Sequence, residues 1–270
     1  MTARARRSAT DAAIAGAYSE TAERWRDGPG AIYDRLAEHL VARCPVPVAG
    51  AAVLDIGAGT GAASRAAVRA GAASVVAVDV APGMLVVDRD ERPPPVVADA
   101  TRLPFPHARF TVAVAAFSLN HLADPAAGLV EAARVVETGG VVLASAYAAD
   151  DRHPVKAAVE QALRVQGWEP SPWQAAMYGH RAPRLATEAG AAAVARDAGL
   201  DADVAAVRVA FGDLAPEQWV AWRLGMAQHA PFVATLTARQ HQAVVAHALE
   251  ALGPAAPMLE RSFVVISVRC

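Results

Sequence analysis

The residues best placed to do chemistry lie in one short run, Val53-Leu54-Asp55-Ile56-Gly57-Ala58-Gly59-Thr60-Gly61. An apolar strand here ends in three alternate glycines and passes into an alanine-rich helix. Glycine is needed where the backbone turns through positive φ or must approach a ligand without a Cβ, and the helix that follows offers unbonded N–H groups. The G-x-G-x-G spacing, with Asp55 two residues ahead of the first glycine, departs from the G-x-G-x-x-G of a dinucleotide turn. A carboxylate there repels a pyrophosphate and suits a ligand carrying an ammonium group. A second apolar run, Ser74 to Val80, carries Asp79 near its end, where a carboxylate can accept both hydroxyls of a ribose. The two acids together describe a nucleoside with a cationic tail.

Positioning such groups requires alternating elements. Apolar runs at 52–56, 75–80, 95–98, 110–117 and 141–146 alternate with helical stretches at 61–70, 82–89 and 125–136. Continuous apolar strands alternating with helices predict a parallel sheet covered on both faces, whose ligands bind beyond the carboxyl ends of the strands. Two amphipathic helices, 10–26 and 31–43, precede this unit, separated by the breaker Asp27-Gly28-Pro29-Gly30. After it come helices at 153–166 and 183–198, a strand at 204–211, helices at 216–229 and 237–252, and a closing strand at 262–268. The expected organisation is a single domain in three stretches: an N-terminal helical lid (1–50), a Rossmann-like core (51–149), and a remainder carrying helical insertions (150–270).

The ordered motifs VLDIGAGTG (53–61), VVAVDVAPGML (75–85), VVADATRLPF (96–105), AAFSLNHL (115–122) and EAARVVETGGVVLAS (131–145) resemble those of the class I S-adenosylmethionine (SAM) dependent methyltransferases. Within them, the chain resembles the ubiquinone/menaquinone-biosynthesis-like small-molecule group. The resemblance implies a seven-stranded, mostly parallel sheet with helices on both faces, helical lid insertions, and an antiparallel edge made by the last two strands. It implies SAM as cofactor and S-adenosylhomocysteine as product. It assigns the methionine portion to Asp55 and the loop of Gly57, Ala58, Gly59 and Gly61, and the ribose to Asp79 with Val80 and Met84 beside it. The adenine falls to Asp99, Ala100 and Thr101, and the sulfonium to Phe117. Tyr18 takes the place of a lid tyrosine on an N-terminal helix, with core packing as the competing reading. The segments 150–181 and 212–261 should cover the substrate together with the N-terminal helices.

Methyl transfer asks the protein mainly to align the acceptor and exclude water, with a base needed only when the acceptor carries a proton. His121, just past the fourth strand, is the candidate base; structural packing of its loop explains it as well. Trp25 and Asn120, with Trp222, Met226 and His229 on a presumed single helix face, are candidates for the wall of an apolar substrate pocket, against the ordinary reading of such a stripe as core. The strand-four end, Ala115-Ala116-Phe117-Ser118, lacks the acidic or Asn-Pro-Pro-aromatic sequence of nucleic-acid amine methylases.

A chain of 270 residues, 54% hydrophobic, with net charge −2 has no broad basic field for nucleic acid. Arg4, Arg6 and Arg7 read as a solvated, disordered tail. The single lysine, Lys156, makes Schiff-base chemistry improbable; Cys44 and Cys270 lack metal-site spacing, and no metal is expected. No apolar stretch has spanning length and no signal peptide is visible, so a cytoplasmic monomer or homodimer acting on a small, largely apolar metabolite at O, N or C is the leading expectation, with no membrane partner. Two alternatives stand beside it. One is a SAM-binding protein of the same fold that does not methylate; the other, disfavoured by the glycine spacing and Asp55, is a nicotinamide oxidoreductase.

Overall fold

The computed structural model describes residues 3–88 and 93–270, with side chains from residue 9 onward. Seven strands form one sheet: β1 (Ala52–Ile56), β2 (Ser74–Asp79), β3 (Pro95–Val97), β4 (Phe110–Ala116), β5 (Val136–Tyr147), β6 (Ala202–Ala210) and β7 (Glu260–Arg269). Their order is β3-β2-β1-β4-β5-β7-β6, with β7 antiparallel to both its neighbours and the rest parallel. The expected architecture and its antiparallel edge are therefore observed.

Both sheet faces are buried, which explains why the central strands read as unbroken apolar runs. Along β4, Val112 and Val114 join one core while Ala113 and Ala115 join the other; Val141 and Leu143 of β5 alternate with Val142 and Ala144 in the same way. The first face carries α3 (Gly30–Val41), α4 (Ala62–Arg69), α7 (Pro154–Val165) and α12 (Ala238–Leu252). The second carries α6 (Pro125–Val135) and α9 (Glu188–Asp197). Their starts are written locally. Asp124 accepts hydrogen bonds from the amides of Ala126 and Ala127 ahead of Pro125, and Thr237 with Gln240 forms a reciprocal capping box on α12.

At the N-terminus the structure differs from expectation twice. The single helix 10–26 is two, α1 (Ala3–Glu20) and α2 (Ala22–Asp27). Thr21 between them turns its hydroxyl back to donate to the Ala17 carbonyl at 2.7 Å, a contact that competes with helix continuation. The backbone around Arg4, Arg6 and Arg7 is helical rather than an unstructured tail, although their side chains lie outside the described residues.

The remaining helices are α5 (Pro82–Val86), α8 (Pro172–Ala176), α10 (Pro216–Gly225) and α11 (Ala230–Val233). The end of the helix expected over 82–89 lies in part outside the described residues. Helix 216–229 stops early: α10 ends at Gly225, and Met226 is extended, with ψ 142°. No helix among the described residues is long and apolar enough to cross a membrane, and no cluster of His, Cys, Asp or Glu among them could hold a metal.

Candidate active site

The strand order reverses between β1 and β4, and at their carboxyl ends lies a cavity of about 800 Å³. Its floor is the glycine turn. Gly57 (φ +69°), Gly59 (+54°) and Gly61 (+94°) all take left-handed conformations that side chains resist. The amides of Gly57 and Ala58 donate to the Val78 carbonyl at 2.7 and 2.9 Å, folding the turn over the end of β2. At Gly57 glycine is needed twice over, since a Cβ there would sit 2.2 Å from the Cβ of Ser118. Ser118 in turn donates to the Ile56 carbonyl at 2.7 Å, pinning the ends of β1 and β4 together.

Asp55 is 1% exposed at the base of this turn, and its carboxylate accepts the Ser64 hydroxyl of α4 at 2.7 Å. The Asp79 carboxylate accepts the amides of Gly59 and Ala81, both at 2.8 Å. Asp79 therefore shapes the glycine turn as well as facing the cavity, a structural duty the sequence reading missed; a carboxylate offers about four acceptor positions in all. Asp99 is exposed and closes a local turn, accepting both the amide and the hydroxyl of Thr101 at 2.8 Å.

Of the residues named from sequence for the cofactor, the cavity brings together Tyr18, Asp55, Gly57, Ala58, Gly59, Asp79, Val80, Met84, Asp99, Ala100, Thr101 and Phe117. Gly61 is set back from the lining, at the start of α4. The opposite wall is aromatic. Tyr18 lies 5.3 Å between ring centroids from both Trp25 and His121, Trp25 packs on Tyr33 at 4.8 Å, and Tyr33 meets Phe117 edge-on at 5.7 Å. Phe117, held at φ +55°, also stacks on Tyr147 at 4.5 Å. A non-glycine residue in that region is strained, and Phe117 sits where the cavity meets the end of β4.

Helix α1 forms the roof. Ser19 accepts the Gly83 amide at 3.2 Å, and a Cβ on Gly83 would lie 2.2 Å from the Ser19 carbonyl oxygen, so α1 and α5 meet backbone to backbone. Burial, aided by Arg181, lowers His121 to about 4. Neither of its ring nitrogens has a hydrogen-bond partner among the described residues, and the ring faces the cavity.

Four of the proposed substrate residues lie elsewhere. Trp222, Met226 and His229 are buried outside the cavity lining, Trp222 and Met226 in the same apolar core that holds Trp25 and Phe117, and the helix face expected to align them is broken because α10 ends at Gly225. The His229 ring is fully buried, donates from Nδ1 to the Arg223 carbonyl at 2.8 Å, and is lowered to about 3 by burial and by Arg223. Asn120 is buried behind the turn and outside the lining, whereas Trp25 lines the cavity. None of 212–261, expected as cover, reaches the cavity; that role falls to α1, α2 and Arg181.

Sequence reasoning missed Arg181, Asp11 and Tyr33. Arg181 reaches the cavity from a π turn, Met177–Arg181, whose sequence carries no motif. Only the contact itself, across 170 positions of sequence to Asp11, reveals it.

Known proteins are similar to parts of this sequence and to its fold. The family described as "Methyltransferase domain" matches residues 54–144. A demethylmenaquinone methyltransferase of Clavibacter sepedonicus is 42% identical over 115 residues, covering 41% of this chain and 46% of that protein. The chain thus spans under half the length of that relative. In fold, it is similar to a methyltransferase assigned to an antibiotic biosynthesis pathway of Anabaena variabilis ATCC 29413 (TM-score 0.57, 14% identity, 86% of this chain and 96% of that one). It is also similar to the [4+2]-cyclase SpnF (TM-score 0.50, 20% identity, 87% and 80%). Residues 54–144, from the glycine turn into the fifth strand, are thus similar to the methyltransferase-domain family, and the seven-stranded sheet has the fold of these solved structures.

Proposed function

We propose that this protein transfers the methyl group of SAM to a small molecule with a largely apolar body, accommodated between the glycine turn and the aromatic wall. The observation that carries the reading is the joint placement in one cavity of buried Asp55, the left-handed glycine turn, Asp79 and the Phe117 corner. The donor set fits the cofactor: a buried carboxylate for an ammonium, a second carboxylate for a diol, and open space above Gly59, where an added Cβ would meet nothing within 4 Å. When bound, the cofactor supplies an electrophilic methyl group on a sulfonium.

The chain's own part is alignment and exclusion of water. Asp55, fixed by Ser64, holds the amino-acid end, and Asp79 the sugar. The faces of Tyr18, Trp25, Tyr33 and Phe117 offer the acceptor an apolar surface, and α1 closes the cavity from above. His121 is unprotonated near neutral pH and, among the described residues, has no competing partner for its ring nitrogens, so it serves as proton acceptor where the acceptor atom carries a proton. Its low value makes it a weak base, suited to a proton that leaves as the methyl group arrives.

A second reading, a SAM-binding catalyst that does not methylate, finds support in the likeness to a [4+2]-cyclase. Methyl-labelled SAM incubated with the protein and a pool of small metabolites separates the two. Label appearing in a metabolite with stoichiometric S-adenosylhomocysteine supports methylation; SAM bound but unconsumed refutes it.

A further inference from the structure

The Arg181 guanidinium forms an ion pair with Asp11 at the cavity wall. The residue is 7% exposed, yet it lines the cavity beside the His121 turn. Its Nη1 alone makes both of its contacts, to Asp11 Oδ1 at 2.6 Å and to the His121 carbonyl at 2.7 Å. Nε and Nη2 have no hydrogen-bond partner among the described residues, so one edge of a planar five-donor fork is unused. Its counter-ion is half-exposed: the Asp11 side chain retains 53% of its accessible surface and belongs to α1, the roof.

We infer that Arg181 is the docking point for an anionic group on the acceptor, a carboxylate in the first instance, and that Asp11 stands in for that group when no acceptor is bound. This rests on the methyl-transfer reading of the same cavity and names its substrate class: an apolar, ring-sized body carrying one negative charge. A buried guanidinium is costly to leave without an anion, and its fork is matched by a carboxylate held through two nitrogens. Asp11 engages only one nitrogen. A ligand carboxylate that uses the unused edge makes a desolvated, bidentate contact, while the displaced Asp11 carboxylate returns to water at little cost. The apolar body then lies against Tyr18, Trp25 and Phe117. The amides at the start of α4, near Asp55, offer the cofactor's own carboxylate a different partner.

The probes are 4-hydroxybenzoate, its neutral amide 4-hydroxybenzamide, and phenyl phosphate. Each is titrated into protein saturated with S-adenosylhomocysteine and read by quenching of tryptophan fluorescence, with calorimetry alongside. The acid should bind about ten-fold or more tighter than the amide, as expected for a charge-assisted contact. Arg181→Gln should reduce that ratio below about three-fold, Arg181→Lys should retain part of it, and Asp11→Asn should tighten the acid several-fold by removing the competitor. Phenyl phosphate bound tighter than the acid, with the same loss in Arg181→Gln, supports the anion site and assigns it to phosphate. Equal affinities for acid and amide, no binding of either, or a preference that survives Arg181→Gln overturns the inference. So does a ten-fold loss of S-adenosylhomocysteine affinity in Arg181→Gln, which would make the cofactor carboxylate its partner. Failure of the methylation reading shows separately, as SAM that the unaltered protein does not take up, or takes up without consuming it.

Discussion

Substituting Gly57 by alanine tests the geometry of the glycine turn directly, because two costs of different origin meet there. The backbone sits at φ +69°, where a side chain costs about 1–2 kcal/mol. The new Cβ would also lie 2.2 Å from Ser118 Cβ and 2.8 Å from its Oγ, against about 3.5–4.0 Å for carbon atoms in contact. Overlap of that size forces the ends of β1 and β4 apart, for about 1–3 kcal/mol more. The single substitution should therefore cost about 2–5 kcal/mol of the 5–15 kcal/mol that holds a typical domain. Ser118→Gly removes the obstructing atoms but also loses the hydrogen bond to the Ile56 carbonyl, about 1 kcal/mol. In the double variant only the dihedral cost and that lost bond remain, so the pair should couple favourably by about 1–3 kcal/mol. Urea unfolding of the four proteins gives this coupling, and SAM calorimetry on the folded ones reports the site. Additivity within about 0.5 kcal/mol would show that the two residues do not collide and that the turn is packed otherwise.

Other consequences are equally open to measurement. Asp79→Ala should weaken SAM binding by about 10- to 150-fold and also loosen the Gly59 and Ala81 amides, so calorimetry should show lost affinity together with a lower Tm. His121→Ala should leave SAM affinity nearly unchanged and reduce turnover about 10²–10⁴-fold if it accepts a proton. With His121 at about 4, the pH profile should show no inflection from it between about pH 6 and 8, activity falling only as the ring is protonated at acid pH. Gly83→Ala should push α1 off α5 at Ser19 and raise the Kd for SAM with little change in the urea slope. Beneath the site, burial would raise Asp151, but its paired contacts with Arg261 at 2.9 and 2.7 Å, together with Lys156, bring it down to about 2. Its contribution to stability is full above the ordinary carboxylate value near 3.9 and disappears as pH falls through about 2. Asp151→Asn, which strands the Arg261 charge between Tyr147 and Trp222, should cost about 3–5 kcal/mol by thermal unfolding.

What could be read in advance follows a physical divide. Strands β1 to β5 and the helices between them were legible because burial on both faces leaves continuous apolar runs, and because the cofactor turn needs glycines at fixed places. Asp55 and Asp79 were found for the same reason: a charge at the end of an apolar strand has few explanations. The helix through Trp222 and Met226 was misjudged because periodicity runs on past Gly225 while the backbone does not, and Met226 turns extended. Arg181 and Asp11 were invisible because their meaning lies in a meeting across the fold, on a π turn and a polar helix face that look ordinary when read singly.

The placement of β7 between β5 and β6 has a consequence for how this chain is made. As the ribosome releases residues in order, β6 emerges with no sheet edge to join, because its partner is translated about fifty residues later. At a synthesis rate of ~5–20 residues per second that interval lasts roughly 3–10 seconds. Throughout it, the nascent β5 and β6 both expose unpaired backbone. Slowed translation across 211–259 would prolong this vulnerable period, and chaperone engagement should concentrate there.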